Sequence, residues 1–295
     1  MPSARGIDGQ EDDRLRAFVE RYARLFVLTG AGCSTESGIP DYRDVDGDWK
    51  RAAPMMYQAF TADIELRRRY WARSLVGWRR LRAARPNAAH RALRCLQQRM
   101  RVQCLVTQNV DRLHQAAGSV DVIDLHGRID LVRCMDCQVR LPREQLQAQM
   151  ERLNPSFAAL EGRVAPDGDA DLAALDFSGF QVPACSLCGG LLKPDVVFFG
   201  ESVPQHRVQS AMLHLAHADA MLVVGSSLMV YSGYRFVQAA AAAGKPIAAV
   251  NLGRTRADAL LGLKITRQCS SALAFLLQPD GAAPPAPLVS YEASR

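Results

Sequence analysis

Four short apolar runs constrain the fold of this chain more than any other feature of its sequence. They read LFVLT (25–29), QCLVTQN (103–109), AMLVVGSS (220–227) and PIAAVNLG (246–253). A strand of a parallel sheet is buried on both faces, so it reads as a continuous apolar run rather than an alternating one. Helical stretches such as 87–99 and 234–243 separate the runs, which predicts a doubly wound α/β sheet. Because ligands of such sheets bind at the carboxyl ends of the strands, we expect the turn-rich endings to form one crevice.

The first run continues as GAGCSTESGIPDYR, which resembles a phosphate-binding turn with unusual spacing. Gly30 and Gly32 allow a ligand to approach the backbone closely. The third glycine of the common dinucleotide fingerprint is absent, because Thr35 stands in its place and the next glycine is Gly38. The GIPDYR continuation cannot extend a helix, so it predicts a loop in which Arg43 can pair with a pyrophosphate.

Polar side chains follow the other apolar runs. Gln108, Asn109 and Asp111 come at the end of the second run, where amides and a carboxylate suit ribose hydroxyls and a carboxamide. A helix cap by Asn109 or Asp111 explains the same residues equally well. The sequences GSS (225–227) and VNL (250–252) also suit a nucleotide ribose.

His126 stands between the apolar run 122–125 and Gly127. A single histidine is more often structural than catalytic, but this one lies where a strand meets a turn. Histidine is also the side chain best suited to take a proton near neutral pH, so His126 is a candidate general base.

Two C-x-x-C pairs, Cys134 with Cys137 and Cys185 with Cys188, have the spacing of two zinc knuckles. Four thiolates form a closed tetrahedral site with no open position for a substrate, so the predicted zinc is structural. The segment from about 130 to 195 therefore reads as a small metal module inserted into the main domain.

Two further stretches allow two interpretations each. The run KPDVVFFGE (193–201) fits an exposed edge that pairs with a peptide, or an ordinary core strand. The arginine-rich stretch 67–85 fits a nucleic-acid surface or a solvated helix face, and we favour the second.

Composition limits the class of protein. The 295 residues are 48% hydrophobic and 22% charged, as in ordinary globular proteins, and no apolar run approaches a membrane span. The N-terminal residues contain no apolar signal region, which favours a cytoplasmic location. We predict flexible tails at 1–10 and, where proline and alanine dominate, at 279–295.

Taken together and in order, these motifs resemble the sirtuin (Sir2) family over about residues 20–275. The resemblance implies an NAD-dependent protein lysine deacylase with an inverted Rossmann-like domain and a small zinc domain that together hold an acyl-lysine peptide in a cleft. The Rossmann-like domain would comprise 11–129 and 194–278, and the zinc module 130–193. The segments STESGIPDYR, RYWARSLVGW, APDGD and SLMVYSGYRF resemble the class II branch, which contains the mitochondrial lipoamidase-type sirtuin.

The resemblance also implies roles for individual residues. His126 would be the general base, and Val196, Val197, Phe198 and Phe199 would pair with the substrate peptide. The residues implied to bind NAD are Gly30, Ala31, Gly32, Ser34, Thr35, Asp41, Tyr42, Arg43, Gln108, Asn109, Val110, Asp111, Gly225, Ser226, Ser227, Asn251, Leu252, Gly253 and Cys269. In the implied reaction the acyl oxygen attacks the ribose anomeric carbon as nicotinamide leaves, and the products are free lysine and an O-acylated ADP-ribose.

The acyl group is a separate question. Tyr70 and Arg73 have the Y-x-x-R spacing with which acid-preferring sirtuins hold a terminal carboxylate, which suggests a pocket for bulky or branched acidic acyl groups, with acetyl a weak substrate. The alternatives are mono-ADP-ribosyl transfer at the same NAD site, an NAD-sensing protein without turnover, and a zinc-containing nucleic-acid-binding protein. The sequence does not determine the oligomeric state.

Overall fold

A computed structural model describes residues 4–50, 54–162 and 175–278, with the side chains described from residue 10 onward. The APDGD segment and the tail from 279 lie outside the described residues. The strands are β1 Leu25–Thr29, β2 Val102–Thr107, β3 Val122–Asp124, β4 Gly127–Cys134, β5 Arg140–Pro142, β6 Leu192–Val196, β7 Ala220–Val224, β8 Ile247–Val250 and β9 Leu263–Ile265. The helices are α1 Ala4–Arg21, α2 Tyr57–Ala62, α3 Ile64–Ala83, α4 Ala88–Gln98, α5 Leu113–Ala116, α6 Arg143–Leu153, α7 Pro155–Ala158, α8 Gln205–His217, α9 Tyr231–Ala242 and α10 Cys269–Ala272.

Six strands form a parallel sheet in the order β3-β2-β1-β7-β8-β9. The four apolar runs supply β1, β2, β7 and β8, which confirms the predicted doubly wound fold. The chain order reverses between β1 and β7, the place where such sheets bind ligands. The sequence reading did not include β9, and α1 begins at Ala4, inside the segment predicted as a flexible tail.

Both faces of this sheet are covered. Leu25 and Val27 of β1 enter a core formed with α1, α4 and α10, whereas Phe26 and Leu28 enter a core formed with α8 and α9. All five residues of β1 are buried, as expected for a continuous apolar run inside two layers.

A smaller antiparallel sheet, in the order β5-β4-β6, carries the cysteine pairs. Its core joins Val132 and Cys134 of β4 to Met150 of α6 and Trp71 of α3. β4 begins directly after His126 and runs into the metal module, and β6 runs back and ends at Val196. Both strands therefore connect the metal module to the predicted catalytic region.

Between the first strand and the predicted GIPDYR loop, the chain forms two short 3-10 turns, Ala31–Cys33 and Thr35–Ser37. Gly38 ends the second turn with φ of +84°, a left-handed conformation that glycine adopts without steric cost. The chain then crosses the end of the sheet instead of continuing as a helix.

Candidate active site

A cavity of about 550 Å³ lies at the carboxyl ends of β1, β2, β7 and β8. Every residue predicted to bind NAD lines this cavity, and so do His126, Tyr70 and the segment 196–199. The residues predicted for NAD, catalysis and the acyl-lysine peptide are therefore brought together, with the exception of Arg73, which is not among the lining residues.

The glycine loop lies directly against the turn after β7. Gly32 donates its N–H to the carbonyl of Gly225 over 2.8 Å, and a Cβ on Gly225 would lie 2.2 Å from the nitrogen of Cys33. Gly225 also has φ of +63°. Only glycine fits at this contact, which brings the two loops together on one side of the cavity.

The polar residues after β2 hold the glycine loop from the other side. Asn109 donates its side-chain amide to the carbonyl of Gly30 and to Ser34 Oγ, both over 3.0 Å. Ser34 in turn donates to Asp111 Oδ2 over 2.6 Å, while Asp111 Oδ1 accepts the N–H of Leu113 over 2.9 Å. Asp111 thus accepts an N–H at the start of α5 and also lines the cavity, which is compatible with both interpretations of the sequence. Burial raises the pKa of this carboxyl, while the bond from Ser34 acts in the opposite direction.

The loops after β7 and β8 complete this side of the cavity. Gln108 donates its side-chain amide to Ser226 Oγ over 2.7 Å, and Asn251 donates its own to the carbonyl of Gly253 over 2.9 Å. Ser226 is buried, so its hydroxyl is fixed by protein contacts before any ligand enters.

His126 is held by both of its ring nitrogens. Nδ1 lies 2.9 Å from the carbonyl of Gln108, and Nε2 lies 2.7 Å from Ser232 Oγ. Since a carbonyl only accepts, Nδ1 carries the proton, and Nε2 presents its lone pair to the hydroxyl. The pKa of the ring is lowered to about 4, chiefly because the surrounding protein excludes water, although the bond to Gln108 favours the charged form. The imidazole of His126 is therefore neutral near pH 7.

The loop after the glycine turn covers the cavity. Arg43 donates to the carbonyl of Gly47 over 2.7 Å, and its guanidinium carbon lies 3.9 Å from the ring centroid of Trp49. Trp49 in turn meets Phe199 edge-on, with the ring centroids 5.6 Å apart. The guanidinium of Arg43, which stacks on Trp49, is therefore held at the cavity by contacts within this loop.

The segment implied to pair with a peptide runs beside His126. Val197 donates its N–H to the carbonyl of His126 over 2.8 Å, and Phe198 donates its own to Glu201 Oε2 over 2.9 Å. Phe198 is buried in the core beside Tyr70. A peptide that adds to this segment would therefore use backbone groups other than these two N–H groups.

Tyr70 lies at the inner wall of the cavity. It is 4% exposed and meets Phe60 edge-on, with ring centroids 5.3 Å apart. Met55, Leu81 and Ile129 also line the cavity, so part of its wall is apolar.

The four cysteines of the small sheet form one cluster. Cys134 Sγ lies 3.5 Å from Cys188 Sγ, and Cys137 Sγ lies 3.8 Å from Cys185 Sγ. Tetrahedral zinc with bonds of about 2.3 Å places its sulfur ligands roughly 3.8 Å apart. The four residues thus fit one Zn²⁺ ion, and they would hold it without an open position.

Several arginine side chains of helix α3 form ion pairs or hydrogen bonds with other parts of the protein. Arg79 and Arg82 form ion pairs with Glu151 and Glu144, and Arg67 donates to the carbonyls of Phe60 and Thr61. These contacts favour the solvated helix face over the nucleic-acid surface.

Sequence reasoning did not identify Ser232 or Trp49. Ser232 meets His126 across 106 positions of the chain, and a single serine inside a helical stretch carries no signal of such a contact. Trp49 could have been suspected from its place in the loop that follows Arg43.

Comparison with known proteins agrees with this arrangement. The Sir2 family model matches residues 30–232. A protein of Xanthomonas campestris pv. campestris (strain 8004) called NAD-dependent protein deacetylase is 64% identical over 270 residues, 92% of each chain. A protein of Bordetella bronchiseptica with the same name is 65% identical over 260 residues, 88% of this chain and 95% of that one.

Solved structures agree as well. The structure described as "Sir2-p53 peptide-NAD+" has a TM-score of 0.69 and 28% identity, and covers 90% of this chain and 96% of that one. Another, described as "Structural Basis for the Mechanism and Regulation of Sir2 Enzymes", has a TM-score of 0.71 and 30% identity, with the same coverage. From the match to the family model and the identity to these relatives it follows that the chain belongs to the Sir2 family, the sirtuins.

Proposed function

We propose that this protein is an NAD-dependent protein lysine deacetylase. One observation carries the proposal: the glycine loop, the amides after β2 and a neutral histidine meet in a single cavity. The names of the bacterial relatives support the same activity.

NAD would be consumed as a co-substrate, and when bound it supplies a labile bond between nicotinamide and ribose. The glycine loop after β1 and the side chain of Arg43 would line its pyrophosphate. Asn109 and Asp111 would orient the nicotinamide ribose, and Ser226, Asn251 and the backbone of Cys269 would receive the adenosine end. Because Ser34, Asn109 and Asp111 are already bonded to one another, little reorganisation would accompany binding.

His126 would accept a proton at Nε2 from a ribose hydroxyl. Its Nδ1–H is already directed at the carbonyl of Gln108, so the tautomer that presents a lone pair at Nε2 is fixed. In the structure the hydroxyl of Ser232 lies 2.7 Å from Nε2. A substrate hydroxyl would replace it as the donor to Nε2, and Ser232 Oγ would accept the N–H that forms, so Ser232 would still hold the ring.

The peptide would lie beside 196–199, with its acyl-lysine directed towards Tyr70. Met55 and Phe198, which pack in the same cluster as Tyr70, also line the cavity, whereas Arg73 is not among the lining residues. We therefore expect short uncharged acyl groups to be preferred over acidic ones, which differs from the preference suggested by the Y-x-x-R spacing. The reason is that an apolar wall offers no compensation for a buried carboxylate.

The zinc site lies in the small sheet and would support the fold without taking part in the reaction. No helix among residues 4–50, 54–162 and 175–278 has both the length and the apolarity to cross a membrane. The division at 130–193, the class II assignment and the cytoplasmic location stay predictions.

The test is incubation of the purified enzyme with NAD and matched peptides that carry acetyl-, glutaryl- or lipoyl-lysine, followed by mass spectrometry of the peptide. We expect NAD-dependent loss of the acetyl group, with slower turnover of the glutaryl peptide. Transfer of ADP-ribose to protein without deacylation of any peptide would favour the alternative activity instead. His126→Asn is the matched control, since it keeps a side chain of similar size but removes the base.

A further inference from the structure

Three buried side chains behind the glycine loop have no role in the proposed reaction. Cys33 directly follows Gly32, His90 lies on α4, and His114 lies on α5. Cys33 Sγ and one ring nitrogen of each histidine lie within 4.8 Å of one another. All three residues are 0–1% exposed, so the cluster is separated from solvent.

In each histidine, one ring nitrogen lies within hydrogen-bond distance of an oxygen atom: Nε2 in His114 and Nδ1 in His90. His114 Nε2 lies 2.9 Å from Thr29 Oγ1, and that hydroxyl donates to Thr107 Oγ1 over 2.8 Å, so Nε2 carries the proton. His90 Nδ1 lies 3.0 Å from Asn87 Oδ1, which can accept its proton, and 3.4 Å from the backbone N–H of Asn87, which can donate to it. Ligation through Nε2 requires the first and shorter of these two contacts. Metal-bound histidines show this arrangement, with one nitrogen on the ion and the other donating to an oxygen.

The remaining nitrogens, His90 Nε2 and His114 Nδ1, are buried and have no hydrogen-bond partner. A buried polar group without a partner is energetically unfavourable, so two such nitrogens in one place favour a bound ligand. Burial lowers the pKa of His90 to about 4 and that of His114 well below its usual range, which keeps both rings neutral and able to ligate.

A metal ion satisfies these groups better than a water molecule does. Sulfur and imidazole nitrogen are the ligands that zinc prefers, and a single ion would engage all three residues. Burial, and after it the charges of Cys269, Asp111 and Glu36, raise the pKa of the Cys33 thiol, and the same negative charges favour a cation at this place.

We propose that Cys33, His90 and His114 form a second zinc site, separate from the tetra-cysteine site and located behind the cofactor loop. Binding displaces the thiol proton of Cys33 and joins the glycine loop to α4 and α5. The carbonyl of Cys33 already accepts the side-chain amide of Asn87 over 2.8 Å, so the ion would strengthen an existing contact between this loop and the start of α4.

Zinc content tests this proposal. The enzyme, with its tetra-cysteine site filled, is incubated with excess Zn²⁺, passed through a desalting column and analysed by atomic emission. We expect two zinc ions per chain, and one in Cys33→Ala. Cys104→Ala is the matched control, because Cys104 is a buried thiol on β2 outside the cluster, and it should keep two.

One zinc per chain in the unmodified enzyme would overturn the proposal without any variant, and so would a second zinc that Cys33→Ala retains. Loading with Co²⁺ provides an independent readout if Cys33→Ala does not fold. We expect a thiolate-to-cobalt absorption band for a single sulfur ligand in the unmodified enzyme and in Cys104→Ala, and its loss in His90→Gln.

Discussion

The hydroxyl of Ser232 lies 2.7 Å from Nε2 of His126, the nitrogen that would accept the proton in the proposed reaction. The opposite nitrogen is bonded to the carbonyl of Gln108 over 2.9 Å. Ser232 on α9 and Gln108 after β2 therefore hold the ring between them, so its orientation depends on two distant parts of the chain.

Ser232→Ala tests this arrangement. Loss of one hydrogen bond worth about 1 kcal/mol leaves the ring held at Nδ1 alone, so we expect kcat to fall roughly five-fold to ten-fold. The KM for NAD should change little, because the cofactor loops are untouched. Steady-state kinetics measure both constants, and Ser271→Ala, an exposed serine, is the control. An unchanged kcat would show that Ser232 does not position His126.

The pH dependence of the reaction follows from the state of His126. Its pKa is lowered to about 4, so the ring is neutral above that value and can act as a base. We expect kcat/KM to stay level with respect to this group from about pH 7 down to pH 5, and to fall as the pH drops through 4. A falling limb centred near the ordinary histidine value of about 6.5 would contradict the assignment.

Arg43→Ala tests the loop over the cavity. It removes both the bond to the carbonyl of Gly47 and the stacking on Trp49, so we expect at least a ten-fold loss of kcat/KM for NAD with little change in melting temperature. Arg68→Ala is the control, because it breaks a partly exposed ion pair with Glu65 on α3, outside the cavity. Equal effects of the two variants on kcat/KM would show that Arg43 has no specific role in binding NAD.

Gly38 and Gly225 both have a left-handed backbone, but only Gly225 is in close contact with another loop. Comparing the two alanine variants therefore separates the cost of backbone strain from the cost of a steric clash. A Cβ at Gly225 would lie 2.2 Å from the nitrogen of Cys33, whereas a Cβ at Gly38 meets nothing within 4 Å. Gly38→Ala should cost about 1–2 kcal/mol of unfolding free energy from backbone strain alone. We expect Gly225→Ala to cost clearly more, and urea unfolding measures the difference. Equal costs would mean that the contact between the two loops is loose.

Loss of a zinc ligand should reduce stability rather than remove a reactive group. We expect Cys185→Ser to lose one zinc ion per chain and to lower the melting temperature by about 10 °C, which corresponds to roughly 3 kcal/mol. Cys95→Ser, a partly exposed cysteine on α4, should retain both the zinc and the melting temperature. A folded Cys185→Ser enzyme with full stability would contradict a structural role for this ion.

The sequence predicted the central sheet because β1, β2, β7 and β8 are buried on both faces and therefore read as apolar runs. It predicted the zinc site because the two C-x-x-C pairs fix the ligand geometry locally. It did not predict β9, whose three residues LKI are too short to form a pattern.

Contacts between distant parts of the chain were the least predictable. The bond from Ser232 to His126 and the absence of Arg73 from the cavity wall both depend on how helices α9 and α3 are rotated against the sheet. Sequence spacing gave Tyr70 and Arg73 a shared role, but a separation of three residues on a helix does not ensure that both side chains reach the same cavity.

The most direct test of the proposed function is the ratio of nicotinamide released to acetyl-lysine deacetylated, measured by chromatography in one reaction with NAD. We expect one nicotinamide for each lysine in the unmodified enzyme, and at least a hundred-fold less deacetylation in a folded His126→Asn variant. Deacetylation that proceeds without NAD, or that His126→Asn leaves unchanged, would contradict the proposal.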